Sequence, residues 1–359
     1  EGVEECDDGT LDDSDACTST GRVARCGDGV VRSGLDPADP AHEQCDDGND
    51  DQTDSCLSDC RLASCGDGHL REGVETCDDG GEGGCRQDCS GVSLGNAVQI
   101  TTGSRSTCRL LRNGTLECWG LNLQGQLADG TTENRGSPTP VPSLTRITKV
   151  AFADGKACAL RATNELYCWG HNITGGLGDG TTQSRSTPGL VRGLNRVIDF
   201  DIGRVGCAIE ADRSLHCWGE NYAGEVGDGT RINRLLPVPI LVGEEILMVR
   251  TGVFMNCALL ADRTVRCWGR GIMGDGSPQD MNLGITTPRA VANLSNVIDL
   301  NVSHSVGHAC ALLSDRTAQC WGQNSYGEIG DGTQTVRLVP EPVFGLESIR
   351  QIDVGAQHT

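Results

Sequence analysis

The stretch CDDGNDDQTD (residues 45–54) places Asp47, Asn49 and Asp51 at every second position, with Asp54 close behind. Oxygen ligands at that spacing can converge in a tight loop, and the chemistry they offer is calcium coordination. Two requirements of such a loop are absent: Gln52 stands where a glycine makes the sharp turn, and no Glu closes the coordination sphere. A later loop of the same kind, CDDGGEGGC (77–85), has lost most of the oxygens. The leading reading is a solvated acidic turn. A calcium site on Asp47, Asn49, Asp51 and Asp54 is its alternative, and no other cofactor is expected.

The second reactive set is cysteine, 20 residues with no CxxC pair. The C-x3-C spacings, Cys56 to Cys60 and Cys85 to Cys89, have no histidine in register, so disulfides are expected rather than zinc, and with them an oxidising compartment. Ten cysteines fall in pairs ten residues apart: Cys108 and Cys118, Cys158 and Cys168, Cys207 and Cys217, Cys257 and Cys267, Cys310 and Cys320. Each second member runs into Trp-Gly, at Trp119, Trp169, Trp218, Trp268 and Trp321. In CRLLRNGTLEC (108–118) the arms are symmetric about Asn113. A three-residue loop, Arg112-Asn113-Gly114, would join antiparallel strands and set Cys108 opposite Cys118, within bonding reach where that pair is not hydrogen-bonded. Each bridge closes about 11 residues and contributes about 3 kcal/mol in the chain-entropy model.

One detail fits less well. The left-handed loop position is Gly114 or Asn164 in two copies but Arg213, Arg263 and Arg316 in the others. Each Arg there costs of order 1 kcal/mol unless the turn differs. The tryptophans are read as structural, covering a disulfide and filling the gap between sheets while the glycine admits another backbone.

Other chemistry finds little support. There is no HExxH, GxSxG or P-loop. The seven histidines share no register, and the Asp of each GDG (Asp179, Asp228, Asp331) is better explained as a turn former than as a metal ligand. No enzyme is expected.

The elements that carry these residues divide by composition. Residues 1–91 hold 25 Asp and Glu against 6 Arg and no Lys, a balance of −19, and no Phe, Trp, Tyr, Ile or Met. So little apolar area makes cysteine the substitute for a core. Three copies of one pattern are visible, at about 1–25, 26–64 and 65–91, and the first retains only Cys6 and Cys17. Pairing the second cysteine with the third and the first with the fourth leaves no orphan. That gives Cys6–Cys17, Cys45–Cys56, Cys26–Cys60, Cys77–Cys85 and Cys65–Cys89. These units, through CGDG and EGVETCDDG, resemble acidic cysteine-rich repeats of surface and secreted proteins from myxobacteria and related bacteria, which implies a stalk or spacer. The acidity argues against nucleic acid and against an anionic membrane surface, and no stretch is apolar for long enough to span a membrane.

From residue 92 to 359 the Trp-Gly motifs recur at 50, 49, 50 and 53 residues, which demands a repeat architecture. Each unit reads as about four short β segments. The runs CALRATNELYCWGHNITGGLGDGTT (158–182), CAIEADRSLHCWGENYAGEVGDGT (207–230) and CALLSDRTAQCWGQNSYGEIGDGT (310–333) resemble the regulator-of-chromosome-condensation repeat family. The resemblance implies an all-β fold, a β-propeller with blades of four antiparallel strands. Five complete units and the start of a sixth are present, so a truncated propeller is expected. The fourth, CWGRGIMGDGS, is short and lacks Asn and Thr.

The expected function is a non-enzymatic secreted or cell-surface bacterial protein, recognising an unknown protein or surface ligand through propeller loops on an acidic spacer. The contact positions expected are those beside Trp-Gly: Leu121, His171, Glu220, Arg270 and Gln323. The alternatives, from resemblance alone, are guanine-nucleotide exchange on a small GTPase and inhibition of a secreted hydrolase.

Overall fold

The computed structural model describes residues 17, 23, 25–32, 42–65, 67–69, 97–103, 105–278, 283–303, 307–355 and 358–359. The chain divides into two compact units, 1–96 and 97–359. Among the described residues all regular structure is β.

The second unit is five four-stranded antiparallel sheets, each a meander in chain order. The first blade comprises β1 (Ala97–Thr102), β2 (Ser106–Leu111), β3 (Leu116–Gly120) and β4 (Arg135–Pro140). The second comprises β5 (Ile147–Ala153), β6 (Lys156–Arg161), β7 (Leu166–Gly170) and β8 (Arg185–Leu190). The third comprises β9 (Val197–Ile202), β10 (Val205–Glu210), β11 (Leu215–Gly219) and β12 (Arg234–Ile240). The fourth comprises β13 (Ile246–Thr251), β14 (Met255–Leu260), β15 (Val265–Gly269) and β16 (Ile285–Ala290). The fifth comprises β17 (Val297–Val302), β18 (His308–Leu313), β19 (Ala318–Gly322) and β20 (Arg337–Pro342).

Within each blade the second and third strands set the two cysteines directly opposite. Cys108 faces Cys118, Cys158 faces Cys168, Cys207 faces Cys217, Cys257 faces Cys267 and Cys310 faces Cys320. Their α-carbons lie 4.1 Å apart and all five pairs are bonded. The connecting turn is the three-residue loop in every blade. Gly114, Asn164, Arg213, Arg263 and Arg316 all have φ between 67° and 80°, so the three arginines do occupy the left-handed position. The residue before each of them offsets the strain. Asp212, Asp262 and Asp315 accept bonds from the backbone and hydroxyl of Ser214, Thr264 and Thr317, which pre-forms the turn.

The core lies between blades. The first strand of each blade packs on the first two strands of the blade before it. Val150, Phe200, Val249 and Leu300, at one shared position, are fully buried there, whereas Ile100 at the same position of β1 is 62% exposed. Each tryptophan reaches back across this seam. Trp169, Trp218, Trp268 and Trp321 are fully buried, each in one apolar cluster with the disulfide of the preceding blade rather than with its own. Trp119, in the first blade, is half-buried. The indole N–H of Trp169, Trp218 and Trp268 donates to the carbonyl of Gln126, Gly176 and Glu225 at 2.9, 3.0 and 2.8 Å. The Trp321 Nε1 is buried without an acceptor. The fourth blade explains this, because its loop from Trp268 to Asp275 is three residues shorter than the ten-residue span from Trp218 to Asp228.

Edge strands are protected by the same neighbour logic. Gly130, Gly180, Gly229 and Gly276 donate their N–H to Ser186, Leu235, Thr286 and Leu338 in the outer strand of the next blade, at 2.8–3.0 Å. Each bond occupies one carbonyl of an otherwise open sheet edge.

The first unit is described by itself. Cys26 is bonded to Cys60 and Cys45 to Cys56. Cys17 and Cys65 are also disulfide-bonded. The expected partners Cys6 and Cys89, and the expected pair Cys77–Cys85, lie outside the described residues. Asp46 organises the second repeat, its carboxylate accepting N–H bonds from Gly27, Asp28, Gly29 and Gly48 at 2.8–3.2 Å. Partial burial pushes its carboxyl up, but these four donors outweigh that and hold it below the usual range. CGDG and CDDG are thus two halves of one contact. The glycines are needed because Gly27, Gly29 and Gly48 all have φ of 76–87°.

The tryptophan seams give a paired test. Trp218→Phe removes an indole N–H bonded to the buried Gly176 carbonyl and leaves that carbonyl unpaired, whereas Trp321→Phe removes an N–H that has no partner. In urea unfolding with disulfides intact, Trp218→Phe should cost about 1–2 kcal/mol more than Trp321→Phe. Equal losses would show that the indole bond contributes nothing to the seam.

Candidate functional site

In an antiparallel meander the first-to-second and third-to-fourth connections emerge at one end of the blade, and their backbones meet here. The glycine after each tryptophan has φ between 96° and 117°. A Cβ at Gly269 or Gly322 would lie 2.2 Å from the carbonyl oxygen of Phe254 or Gly307, so the Trp-Gly step requires glycine. The next residue then donates its N–H to that inner-turn carbonyl. Leu121 bonds Arg105, His171 bonds Gly155, Arg270 bonds Phe254 and Gln323 bonds Gly307, all at 2.8–3.0 Å. Together with Glu220 these positions are half-buried in every blade.

Between the first and second blades this end holds a cavity of about 350 Å³, lined by Arg105, Leu121, Gln124, Phe152, Asp154 and His171. Between the third and fourth, Phe254 lies against two guanidiniums, Arg204 at 4.6 Å and Arg270 at 4.9 Å, and Arg204 bonds Glu220 at 2.6 Å. The structure thus brings His171 together with Leu121, and Glu220 together with Arg270 through Arg204 and Phe254. Leu123, Ile173, Tyr222 and Tyr326, on the tips of the same loops, are 64–70% exposed.

A clamp that the motif reading missed holds the loops. Asn122, Asn172, Asn221 and Asn324, two residues after the Trp-Gly glycine, are buried. Each side-chain amide donates to the loop aspartate and a threonine carbonyl, and its oxygen accepts an N–H five residues on, as Asn221 does with Asp228, Thr230 and Val226. The aspartate also pairs with the arginine that opens the outer strand: Asp129 with Arg135, Asp179 with Arg185, Asp228 with Arg234 and Asp331 with Arg337, at 2.5–3.7 Å. The signal was present, since an arginine stands six residues after each of these aspartates. In the fourth blade Gly271 replaces the asparagine, and Asp275 instead takes Arg289, fourteen residues on, at 3.0 Å. The GDG aspartates are therefore committed to loop closure.

The oxygens of the acidic loop are likewise turned onto their own chain. Asp47 caps Asn49, Asn49 caps Asp51, Asp51 caps Thr53 and Asp54 caps Cys56. Among the described residues, one group of acidic or thiol ligand atoms gathers within 4.8 Å, that of Glu43, Asp46 and Cys60. Cys60 is spent in its disulfide and Glu43 is paired with Arg32.

The sequence model of the Regulator of chromosome condensation (RCC1) repeat matches residues 113–160, 163–208 and 320–359, and a second RCC1 repeat model matches 302–328. RCC1 repeats are thus detected at several positions along the blades. Among solved structures, human WBSCR16 is 19% identical with a TM-score of 0.65, over 76% of this chain and 76% of that one. Prp20p from Saccharomyces cerevisiae is 19% identical with a TM-score of 0.59, over 69% of this chain and 63% of that one. Yeast RCC1 (Prp20) bound to Kap60 is 19% identical with a TM-score of 0.61, over 72% and 66%. Prp20p has binding properties towards Gsp1p and histones. At this identity the likeness shows the RCC1 fold.

The clamp carries a pH dependence. Burial pushes the Asp331 carboxyl up, but donors from Thr333, Arg337 and Asn324 outweigh it and bring the group down to about 2. Because its folded value is depressed, its contribution is present above the unfolded value of about 3.9 and is lost as pH falls towards 2. Acid titration followed by tryptophan fluorescence should show less loss between about pH 4 and 2 in Asp331→Asn than in the parent. An unchanged titration would place the acid-sensitive contacts elsewhere.

Proposed function

We propose that this chain is a non-enzymatic recognition protein, secreted or displayed on the cell surface, in which residues 92–359 bind a protein partner and residues 1–91 act as an acidic, disulfide-braced spacer. One observation carries the reading. Five equivalent positions each follow a glycine held at the same positive φ after the tryptophan, yet hold Leu121, His171, Glu220, Arg270 and Gln323. A fixed scaffold bearing varied chemistry at one end is how loop surfaces acquire specificity. The exposed apolar tips beside these positions supply anchors of the kind that dominate protein interfaces. Commitment of the loop aspartates to closure supports the non-enzymatic part. Protein binding by the structurally similar Prp20p agrees with a protein partner, and the bonded cysteines favour an oxidising compartment.

A second reading, guanine-nucleotide exchange on a small GTPase, draws on the likeness to Prp20p, which binds Gsp1p. The five blade disulfides count against it, since a reducing cytosol would keep those thiols apart.

A photo-crosslinking residue at position 171 or 270 should capture one discrete protein from the envelope or culture fluid of the source organism. The same residue at Val242 or Phe344, exposed at the opposite end of the blades, should not. Equal capture from both ends would sink the proposed face. Free thiols at the ten blade cysteines, trapped by alkylation before lysis, would sink the compartment and move the exchange-factor reading forward.

A further inference from the structure

The end of the blades opposite the Trp-Gly loops carries an uneven charge. Across the first three blades its turns present Arg112, Arg146, Arg192, Arg196 and Arg213, all exposed. Among the described residues none of the five is in an ion pair or a side-chain hydrogen bond. The acids on the same turns are already engaged. Glu165 takes Arg161 and Thr163, Asp212 takes the backbone and hydroxyl of Ser214, and Glu210 takes the backbone N–H of Asn195.

These arginines are strung on one chain of backbone hydrogen bonds. Ile147 donates to Gly114, Ala162 to Arg146, Val197 to Asn164, Ala211 to Arg196 and Ile246 to Arg213, at 2.8–3.0 Å. Each bond joins a hairpin turn to the entry of an inner strand, so the turns bearing Arg112, Arg146, Arg196 and Arg213 follow one another along a fixed arc. Beyond Arg213 the backbone pattern continues, with Ala261 donating to Glu245 and Ser314 to Asn296 at 2.8 and 2.9 Å. At the strand entries the charge does not continue. At the residue before the inner strand the series runs Arg146, Arg196, Glu245, Asn296, Ser348. At the hairpins Arg263 and Arg316 follow Arg213 and are exposed, so beyond the third blade the row of entry and hairpin arginines reduces to the hairpin arginine alone.

We propose that this arginine arc is a second binding site, separate from the Trp-Gly face, and that its ligand is an extended Asp/Glu-rich polypeptide segment. Guanidinium forks match carboxylates in a planar, two-bond geometry. A row of them on a rigid backbone suits a ligand whose carboxylates repeat along a flexible chain. Single-stranded nucleic acid is favoured less, because its bases need aromatic platforms, and among the described residues the strongly exposed aromatic of this end, Phe344, lies in the fifth blade, away from Arg146 and Arg196. The net charge of −21 does not cancel the arc locally, since at physiological salt a charge is screened beyond about 8 Å.

The test uses the full chain and a fluorescein-labelled oligoglutamate peptide, read by anisotropy at low and physiological salt. The parent should bind, more weakly as salt rises. Combined Arg146→Asn, Arg196→Ser and Arg213→Asn should weaken binding about tenfold or more, with near-ultraviolet circular dichroism unchanged. Glu245→Arg, which extends the arc, should tighten it, and this gain cannot come from misfolding. Substituting His171 or Arg270 should leave it unchanged, which separates this site from the Trp-Gly face. No peptide binding by the parent, or equal binding by the folded triple variant, would overturn the proposal. So would tighter, arginine-dependent binding of a charge-matched sulfated oligosaccharide or single-stranded DNA, which would make the arc a glycan or nucleic-acid site.

Discussion

No blade of this protein is finished by its own residues. The disulfide of one blade is sealed by the tryptophan of the next, and in three seams the indole N–H also satisfies a loop carbonyl of the blade it covers. A single blade cannot bury its apolar face alone. Its stability is lodged in the seam, so the array behaves as a chain of nearest-neighbour contacts. The inner strand entries, the Trp-Gly turns and the covered outer edges all follow from pressing one sheet onto another at that spacing.

The parts of this arrangement that were legible in the sequence are those that recur with a fixed chemical reason. Cysteines ten residues apart about a short turn can mean a bridged hairpin, and Trp-Gly after the second one marks where a large ring and a close backbone approach coincide. The direction of the tryptophan was not legible. Sequence adjacency suggests a role at its own disulfide, but strand alternation points the ring at the blade before. The buried asparagine and the arginine six residues after the loop aspartate were equally visible as letters. Their meaning needs the third dimension, because a polar residue that closes a loop looks the same in sequence as one on a solvated surface. Asp46 is the same case, an acid whose partners are backbone groups nearly twenty residues away.

The fourth blade shows how far the pattern can be altered before it fails. It loses three loop residues, the asparagine clamp and the acceptor for Trp321, and it recruits Arg289 to hold Asp275. The hairpin, its disulfide between Cys257 and Cys267, and the bond from Gly276 to the next outer strand persist. What is kept is the seam, and what is changed is the loop that the seam supports.

The five blade disulfides all close within a hairpin, and none joins one blade to another. Under tension along the chain, such an array parts at its seams while every hairpin stays locked. Each separating blade then releases its length minus the residues held between its two cysteines, so the pulled chain extends in short, even steps and keeps five small knots of structure from which neighbouring sheets can close again.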